Sequence, residues 1–559
     1  MYAMKQLIEC VPNFSEGNDE NIIKQITDQI ETVDGVRLVD VDPGKATNRT
    51  VVTIVGTPDE VIEAAFRSIK KAMELIDMSK HYGAHPRFGA TDVCPLVPVA
   101  NITMEETVKY AHKLAKRVGE ELGIPVYCYE FAAFDEKRKN LAYCRSGEYE
   151  GLKDKLSKPE WKPDFGPSEF LSKTGAIAIS ARNFLVAYNF NLNTTSTRRA
   201  NAIAFDVREA GRIKKEAGKT VKDENGKPVR VPGTLKKTKA IGWFIKEYGV
   251  AQISMNLTDI SVTPVHVAFD EVCRSASSRG IRVTGSELVG VIPLQAMLDA
   301  GKYFLRKQQR STGIPDREII KIAVKSLGLD ELYPFDPDKK IIEYILESDS
   351  DEKLVDMNLI DFADETASES PAPGGGSISA YMGALGAALG TMVANLSSHK
   401  RGWDERWEEF SNWAEKGKKY QVELNKMVDE DTNAFNKIMN AFSLPKKTDE
   451  EKQIRKDAIQ DATKFATEVP FKTMKLCLES MEVAKAMAEI GNPNSVTDAG
   501  VGAIAARAGV MGAFLNVKIN AAGLEDKKFA KEIIDKGQKI ENDAISLEQE
   551  ILKIVNSKI

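Results

Sequence analysis

Histidine and cysteine are scarce in this chain, an excess of either charge is absent, and no apolar run is long. The 559 residues include five histidines and six cysteines, Cys10, Cys94, Cys128, Cys144, Cys273 and Cys477, none in a Cys-x-x-Cys spacing. Neither a zinc cluster nor a disulfide framework is indicated, no metal is expected, and a reducing, cytoplasmic setting fits. Lys and Arg total 77 against 82 Asp and Glu, a net charge of −5. That balance argues against a nucleic-acid binder or a basic membrane-surface protein, so acidic small molecules would have to be met by local clusters. Met1 to Cys10 has no long apolar run behind a basic start, so no signal peptide is expected. The longest low-charge run, Ala380 to Leu396, is rich in Gly and Ala and falls short of the ~20 apolar residues of a membrane span. A helix packed inside a bundle is the expectation, and its small residues Gly383, Ala387 and Gly390 would allow close helix contact.

At roughly one domain per 150 residues, the length suggests three or four domains. Short β-rich runs alternate with amphipathic helices from the start: strand Leu7 to Val11, helix Glu20 to Glu31, strands Val36 to Val41 and Val51 to Val55, helix Pro58 to Ile76, strand Val93 to Val97, helix Met104 to Leu122 and strand Val126 to Tyr129. The βαββαβ order recurs with Ala176 to Asn191, a helix from Ser196 to Ala217, strands at Ile241 to Tyr248 and Ala251 to Leu257, a helix near Val265 to Ser278, and Val283 to Val289. The fold class predicted is α/β plus all-α, with two ferredoxin-like α/β units (residues 1–180 and 181–335), a linker (336–358) holding the acidic run Glu347 to Glu352, and an all-helical bundle (359–559). The Lys- and Arg-rich stretch Lys214 to Lys239 reads as a solvated hairpin or as a holder of chained carboxylates.

Four stretches carry residues suited to chemistry. The loop from His81 to Pro95 holds His85 and Arg87; the proline after His85 keeps that histidine out of the preceding helix. An imidazole and a guanidinium there have the parts for proton transfer on an acidic substrate, although a corner-turning histidine would look the same. The crossing Gly166, Pro167, Ser168, Glu169, Phe170, Leu171, Ser172, Lys173, Thr174, Gly175 offers glycines for close approach, a ring for stacking and a lysine for a carboxylate, or it is an ordinary crossing. Gly374, Gly375 and Gly376 precede a small-residue helix, leaving its first N–H groups approachable by an anion, and a linker joined to an N-cap would read alike. Lastly, helical spacing puts Asp431 on one face with Met427, Val428, Ala434, Phe435 and Ile438, while Asp429 falls with Asn425, Lys426, Asn433 and Asn436. Asp431 is therefore expected to point at the core, where an apolar setting raises a carboxyl's pKa and suits it to acid–base work, or where it hydrogen-bonds buried backbone.

As an ordered set, Cys10-Val11-Pro12-Asn13-Phe14-Ser15-Glu16-Gly17, Asp40-Val41-Asp42 with Thr47-Asn48-Arg49-Thr50, the His81 to Pro95 loop, Trp161 to Gly166, Gly285-Ser286-Glu287-Leu288-Val289-Gly290, Ala372-Pro373-Gly374-Gly375-Gly376-Ser377 and Val428-Asp429-Glu430-Asp431 resemble the bifunctional formimidoyltransferase-cyclodeaminases over nearly the whole chain. The resemblance implies a homo-oligomeric folate enzyme of histidine degradation. Its front half would move a formimino group from N-formimino-L-glutamate to tetrahydrofolate, and its back half would close the product to 5,10-methenyltetrahydrofolate with loss of ammonia. It carries the essential histidine of the family's His-Pro-Arg motif onto His85, the folate segment onto Gly166 to Gly175, the catalytic aspartate onto Asp431, and a supporting role for the imidazole onto Asp42. Thr174 departs from the aromatic residue of relatives, and Lys214 to Lys239 is longer than in animal members, which suggests a tether for polyglutamylated folate. Two other readings stay open: a formyl donor with a methenyltetrahydrofolate cyclohydrolase half, and a folate-binding scaffold without turnover.

Overall fold

The computed structural model describes residues 6–44, 48–83, 87–246, 248–347 and 353–559. The chain divides into two compact units, Met1–Ala300 with Leu327–Asp349, and Gly301–Ser326 with Ser350–Ile559.

The first unit opens with β1 (Leu7–Cys10), α1 (Glu20–Glu31), β2 (Val36–Gly44), β3 (Arg49–Gly56), α2 (Pro58–Leu75), β4 (Thr91–Ala100), α3 (Met104–Glu121), β5 (Val126–Glu130) and β6 (Ile177–Ala181). Its sheet runs β2–β3–β1–β4–β6–β5, antiparallel up to β4 and parallel beyond, with the two-residue strand Asn13–Phe14 between β3 and β4. The strands' two-residue period sends Ile8, Cys10, Ile54, Cys94, Leu96, Ile177 and Ile179 into the core beneath α1, α2 and α3. Each Ile fully withdrawn from water there is worth about 1.5–3 kcal/mol. A smaller core of Phe88, Val93, Tyr127, Tyr129, Cys144 and Leu152 forms on the other face. Helix α3 starts as its sequence dictates, with Thr103 and Glu106 closing a reciprocal capping box.

The run Ala176 to Asn191, read as one element, is two: β6 completes the first sheet, and β7 (Val186–Leu192) is central in a second. The break falls at Arg182 and Asn183, whose backbone N–H and side chain bond Leu96 O (2.9 Å) and Asp259 Oδ2 (2.6 Å). That second sheet has the order β8–β9–β7–β10, all antiparallel, from β8 (Thr238–Ile245), β9 (Val250–Leu257) and β10 (Val283–Val289), with helices α4 (Thr197–Val207) and α5 (Val265–Ser277). Helix α4 ends ten residues before the predicted Ala217, because Arg208 turns extended and Gly211 takes φ +58° where a side chain would fall on the Val231 carbonyl. The basic stretch beyond it forms two exposed strand pairs, Arg212–Ile213 with Arg230–Val231 and Lys215–Glu216 with Lys219–Thr220. The predicted linker is partly folded: Pro337–Lys340 and Ile342–Glu347 are short helices, and Ile341 and Ile342 are fully buried. Residues 348–352 of the acidic run lie outside the described residues.

The second unit is helical: α6 (Gly375–Ser398), α7 (Trp407–Ser443), α8 (Asp449–Ile490), α9 (Val496–Ala522) and α10 (Lys527–Asn556) surround a core that includes Phe410, Met474, Met481 and Phe514. Helix α6 is the small-residue run. A Cβ on Gly386 would come 2.7 Å from Gly502 O, and one on Gly383 would overlap Cys477 Sγ, so these glycines set how closely α6 meets α9 and α8. Gly375–Ser398 and Pro493–Ala522 are long and apolar enough to cross a membrane, but α6 turns Ala380, Ala384, Ala387, Val393 and Ala394 into the bundle core.

Candidate active sites

In the first unit the candidate loop leaves α2 through His81 and enters β4 at Thr91. His85 lies outside the described residues. On its N-terminal side, His81 Nε2 donates to the carbonyl of Asn48 (2.8 Å), which assigns the Nε2–H tautomer, and burial lowers the pKa of the ring. On the other side Arg87 donates to His81 O, pairs with Glu150, and lies 5.6 Å over the rings of Tyr82 and Tyr149. The guanidinium expected to grip a substrate carboxylate is thus engaged by the chain's own Glu150. Asp42 stands on β2 opposite Val51 with an exposed side chain.

The structure brings the predicted folate segment against this loop. Gly166 and Gly175 take φ +81° and +71°, and a Cβ on Gly175 would sit 2.5 Å from Phe88 O. Between them, Tyr149 donates its hydroxyl to Ser172 O and packs 5.6 Å from the Phe170 ring, so one tyrosine spans the segment and Arg87. Ser168 and Glu169 are exposed and Pro167 half-buried, whereas Leu171 O accepts the N–H of Gly175 (2.8 Å) and closes the turn. Lys173 donates to Glu74 O (2.7 Å), its ammonium engaged by backbone. Thr174 is buried and its carbonyl accepts Ala90 N–H (2.8 Å).

A polar cluster that sequence reading passed over lies beside the loop. Arg49 donates to Asn13 Oδ1, Arg145 donates to Asp92 Oδ2, and Arg49 Nη1 stands 3.9 Å from the same oxygen. Burial raises the Asp92 pKa against the pull of Arg145 and Arg49. The backbone fastens the motifs together: Ser15 N–H and Oγ donate to Ala90 O (2.9 Å) and Gly89 O (2.7 Å), and Thr50 Oγ1 donates to Glu16 O (2.5 Å). Further along the sheet, burial pushes the Glu9 carboxyl up to about 7 against the attraction of Arg182. The available signal was a charge inside an apolar strand, Leu7-Ile8-Glu9-Cys10 and Thr91-Asp92-Val93-Cys94, where a carboxylate is rarely left without a task.

In the second unit two separate sequence candidates meet. Asp431, on α7, accepts the Ser377 N–H (2.9 Å) at Oδ2, and the single Ser377 hydroxyl hydrogen has two acceptors in reach, Val428 O (2.9 Å) and Asp431 Oδ2 (3.3 Å). A Cβ on Gly376 would lie within 2.5 Å of both Asp431 oxygens, so the carboxylate rests on the bare first turn of α6. The anion received by the glycine-rich helix start is the chain's own aspartate. Gly374 is the N-cap without a side-chain bond, and a Cβ on Gly375 would face Asn516 Nδ2 at 3.5 Å. Burial raises the Asp431 pKa, and the two bonds from Ser377 partly offset it.

The helix-face expectation needs correction. Met427, Val428 and Ala434 are buried, but Phe435 is exposed; α7 also turns Asp429 inward, where it accepts Leu354 N–H (2.8 Å) and burial raises its pKa. The long helix has neighbours on more than one side, so two carboxylates two residues apart both find cover. Among the described residues no group of three or more His, Cys, Asp or Glu is arranged to hold a metal ion.

The two units fit an enzyme with two separate catalytic parts, and the chain belongs to the formiminotransferase-cyclodeaminase family. The N-terminal subdomain of the formiminotransferase domain matches residues 7–182, the formiminotransferase domain residues 187–347, and formiminotransferase-cyclodeaminase residues 358–539. The chain is 44% identical to the formimidoyltransferase-cyclodeaminase of Gallus gallus over 95% of both chains. It is 43% identical to the glutamate formimidoyltransferase of Thermoplasma acidophilum, over 57% of this chain and 98% of that protein. The chain is 41% identical to the methenyltetrahydrofolate cyclohydrolase of Methylorubrum extorquens, over 35% of this chain and 95% of that one.

Proposed function

We propose that the chain transfers the formimino group of N-formimino-L-glutamate to tetrahydrofolate and then cyclodeaminates the product, as a cytoplasmic, homo-oligomeric enzyme of histidine degradation. Residues 1–180 and 181–335 form the transferase and 359–559 the cyclodeaminase; the strand orders support reading each α/β part as a ferredoxin-like βαββαβ unit. In the first step folate N5 attacks the amidine carbon, His85 takes the N5 proton from the tetrahedral adduct and returns it to the glutamate nitrogen, and the carbon–nitrogen bond to glutamate breaks, releasing its amine. Gly166 to Gly175 holds the folate, Arg87 braces the loop through Glu150 and His81, Asp42 supports the imidazole, and Lys214 to Lys239 tethers a polyglutamylated tail. In the second step N10 attacks the same carbon, Asp431 protonates the departing nitrogen so that ammonia leaves, and the proton lost from N10 restores the Asp431 acid, giving the methenyl product. Both steps exchange carbon–nitrogen bonds without change of oxidation state, and the reading includes no metal.

The observation that carries it is the seating of Asp431 on the α6 start, where burial favours the protonated acid and Ser377 steadies the carboxylate after it has given its proton. The test follows methenyltetrahydrofolate absorbance and ammonia together: His85→Ala should make no 5-formimidoyltetrahydrofolate, and Asp431→Ala should accumulate it. Full activity of either variant in its own step refutes the assignment. The match of the chain to a cyclohydrolase favours a second reading, with a formyl donor. Ammonia release from N-formimino-L-glutamate, matched to product, excludes it.

A further inference from the structure

The cluster beside the transferase loop contains an unmet demand. Asp92 is 1% exposed and its Oδ2 is held by Arg145, yet among the described residues Asp92 Oδ1 has no hydrogen-bond partner; nor has Arg145 Nε. Buried carboxylate oxygens are normally paired, and this one sits at the mouth of β4, seven residues after His85. Its surroundings are tied to the same loop: Asn48, whose carbonyl takes the His81 N–H, is followed by Arg49, which stands 3.9 Å from Asp92 and holds Asn13. Two guanidiniums on one side of a carboxylate leave its free oxygen able to take a further N–H donor, best one with positive charge.

We propose that Asp92 is the residue that selects a formimino over a formyl donor, by accepting N–H bonds from the substrate's amidinium at Oδ1. This rests on the transferase reading above and deepens it. A formamidine is strongly basic and planar, and at neutral pH it presents an =NH2+ group where the formyl analogue presents a carbonyl oxygen. Against Asp92 the first is a charge-assisted donor–acceptor pair. The second sets an acceptor against an acceptor, and sites built to bond an N–H reject ligands lacking it far more strongly than apolar pockets reject a misfit. Arg145 Nε offers its hydrogen to an acceptor on the same ligand, such as a glutamyl carboxylate. The carboxylate also sees the cation of the reacting carbon, so Asp92 aligns the electrophile while His85 handles the proton on N5.

The test uses the full chain and two unreactive ligands of one shape, N-acetimidoyl-L-glutamate and N-acetyl-L-glutamate, as inhibitors competitive with the donor. The wild type should hold the amidine about 10- to 100-fold more tightly than the amide, the range for a charged hydrogen bond. In Asp92→Asn that ratio should fall to about one. The kcat/KM ratio of N-formimino- to N-formyl-L-glutamate should fall by a similar factor, with melting temperature checked to exclude misfolding. Equal inhibition by both ligands in the wild type, or an equal loss for both donors in the variant, overturns the proposal and leaves Asp92 a brace for Arg145. Wild-type turnover of N-formimino-L-glutamate is scored beforehand, so failure of the transferase reading is seen separately.

Discussion

Three consecutive glycines open α6, and they should respond differently to the same methyl group. On Gly376 a Cβ would intrude within 2.5 Å of both Asp431 oxygens, whereas on Gly375 its nearest neighbour is Asn516 Nδ2 at 3.5 Å, and on Gly374 Pro371 O at 3.9 Å. None of the three has positive φ, so backbone strain is not the issue. Alanine favours a helix by up to about 1 kcal/mol over glycine, and overpacking costs about 1–3 kcal/mol, so Gly376→Ala should lose at most a couple of kcal/mol and stay folded. Its function should suffer more, because Asp431 must swing off the Ser377 N–H to make room, and in the role proposed for Asp431 a displaced general acid forfeits about 10²–10⁴ in rate. The assay supplies 5-formimidoyltetrahydrofolate directly and reads ammonia, with transfer from N-formimino-L-glutamate as internal control. Gly376→Ala should lose ammonia release by at least about 10² and keep transfer, while Gly375→Ala keeps both within about threefold. Normal ammonia release by Gly376→Ala, or equal damage from both variants, would refute the idea that the helix start positions the acid.

Ser377→Ala removes a hydroxyl that lowers the Asp431 pKa, so the acid should stay protonated to higher pH and the alkaline limb of the cyclodeaminase profile should move upward; an unmoved or lowered limb contradicts it. For Glu9, with a folded-state pKa of about 7 against an ordinary 4.5, the unfolded chain ionises first, so stability is fully present below about 4.5 and is lost as pH rises to about 7. That window is worth about 3 kcal/mol, and Glu9→Gln should flatten it, seen as melting temperatures of the first unit that differ less between pH 5 and pH 8 than in the wild type. Gly175→Ala meets both a left-handed φ of +71° and the Phe88 carbonyl at 2.5 Å. It should destabilise the first unit by about 1–3 kcal/mol and raise the KM for tetrahydrofolate with little change in cyclodeamination, measured by urea melts and steady-state kinetics.

Periodicity reads what is decided locally. Helix Glu20–Glu31 and strand Val283–Val289 have the bounds their apolar spacing predicts, since the period of each stays regular from end to end. It fails where a distant partner decides: the run from Ala176 breaks at Arg182 because Leu96 and Asp259 claim the next two residues, and the helix from Ser196 stops because Gly211 must pass against Val231. The same distinction separates the two sites. Asp431 and the Ala-Pro-Gly-Gly-Gly-Ser run were each readable as chemistry, yet they are 54 residues apart where they bond, and neither stretch alone says that the anion at the helix start is internal. The Asn13, Arg49, Asp92 and Arg145 cluster spans separations of 36 and 53 residues within bonded pairs, and no member draws notice alone. A single charge in an apolar strand is nevertheless a signal with a physical basis: withdrawing it from water is so costly that it must be paired, neutralised or in use. Glu9 answers by holding its proton toward neutral pH and Asp92 by taking Arg145, and Asp92 Oδ1 stays buried without a hydrogen-bond partner among the described residues. That difference directs the search for substrate contacts in the transferase half to the start of β4, ahead of any charge elsewhere on the sheet.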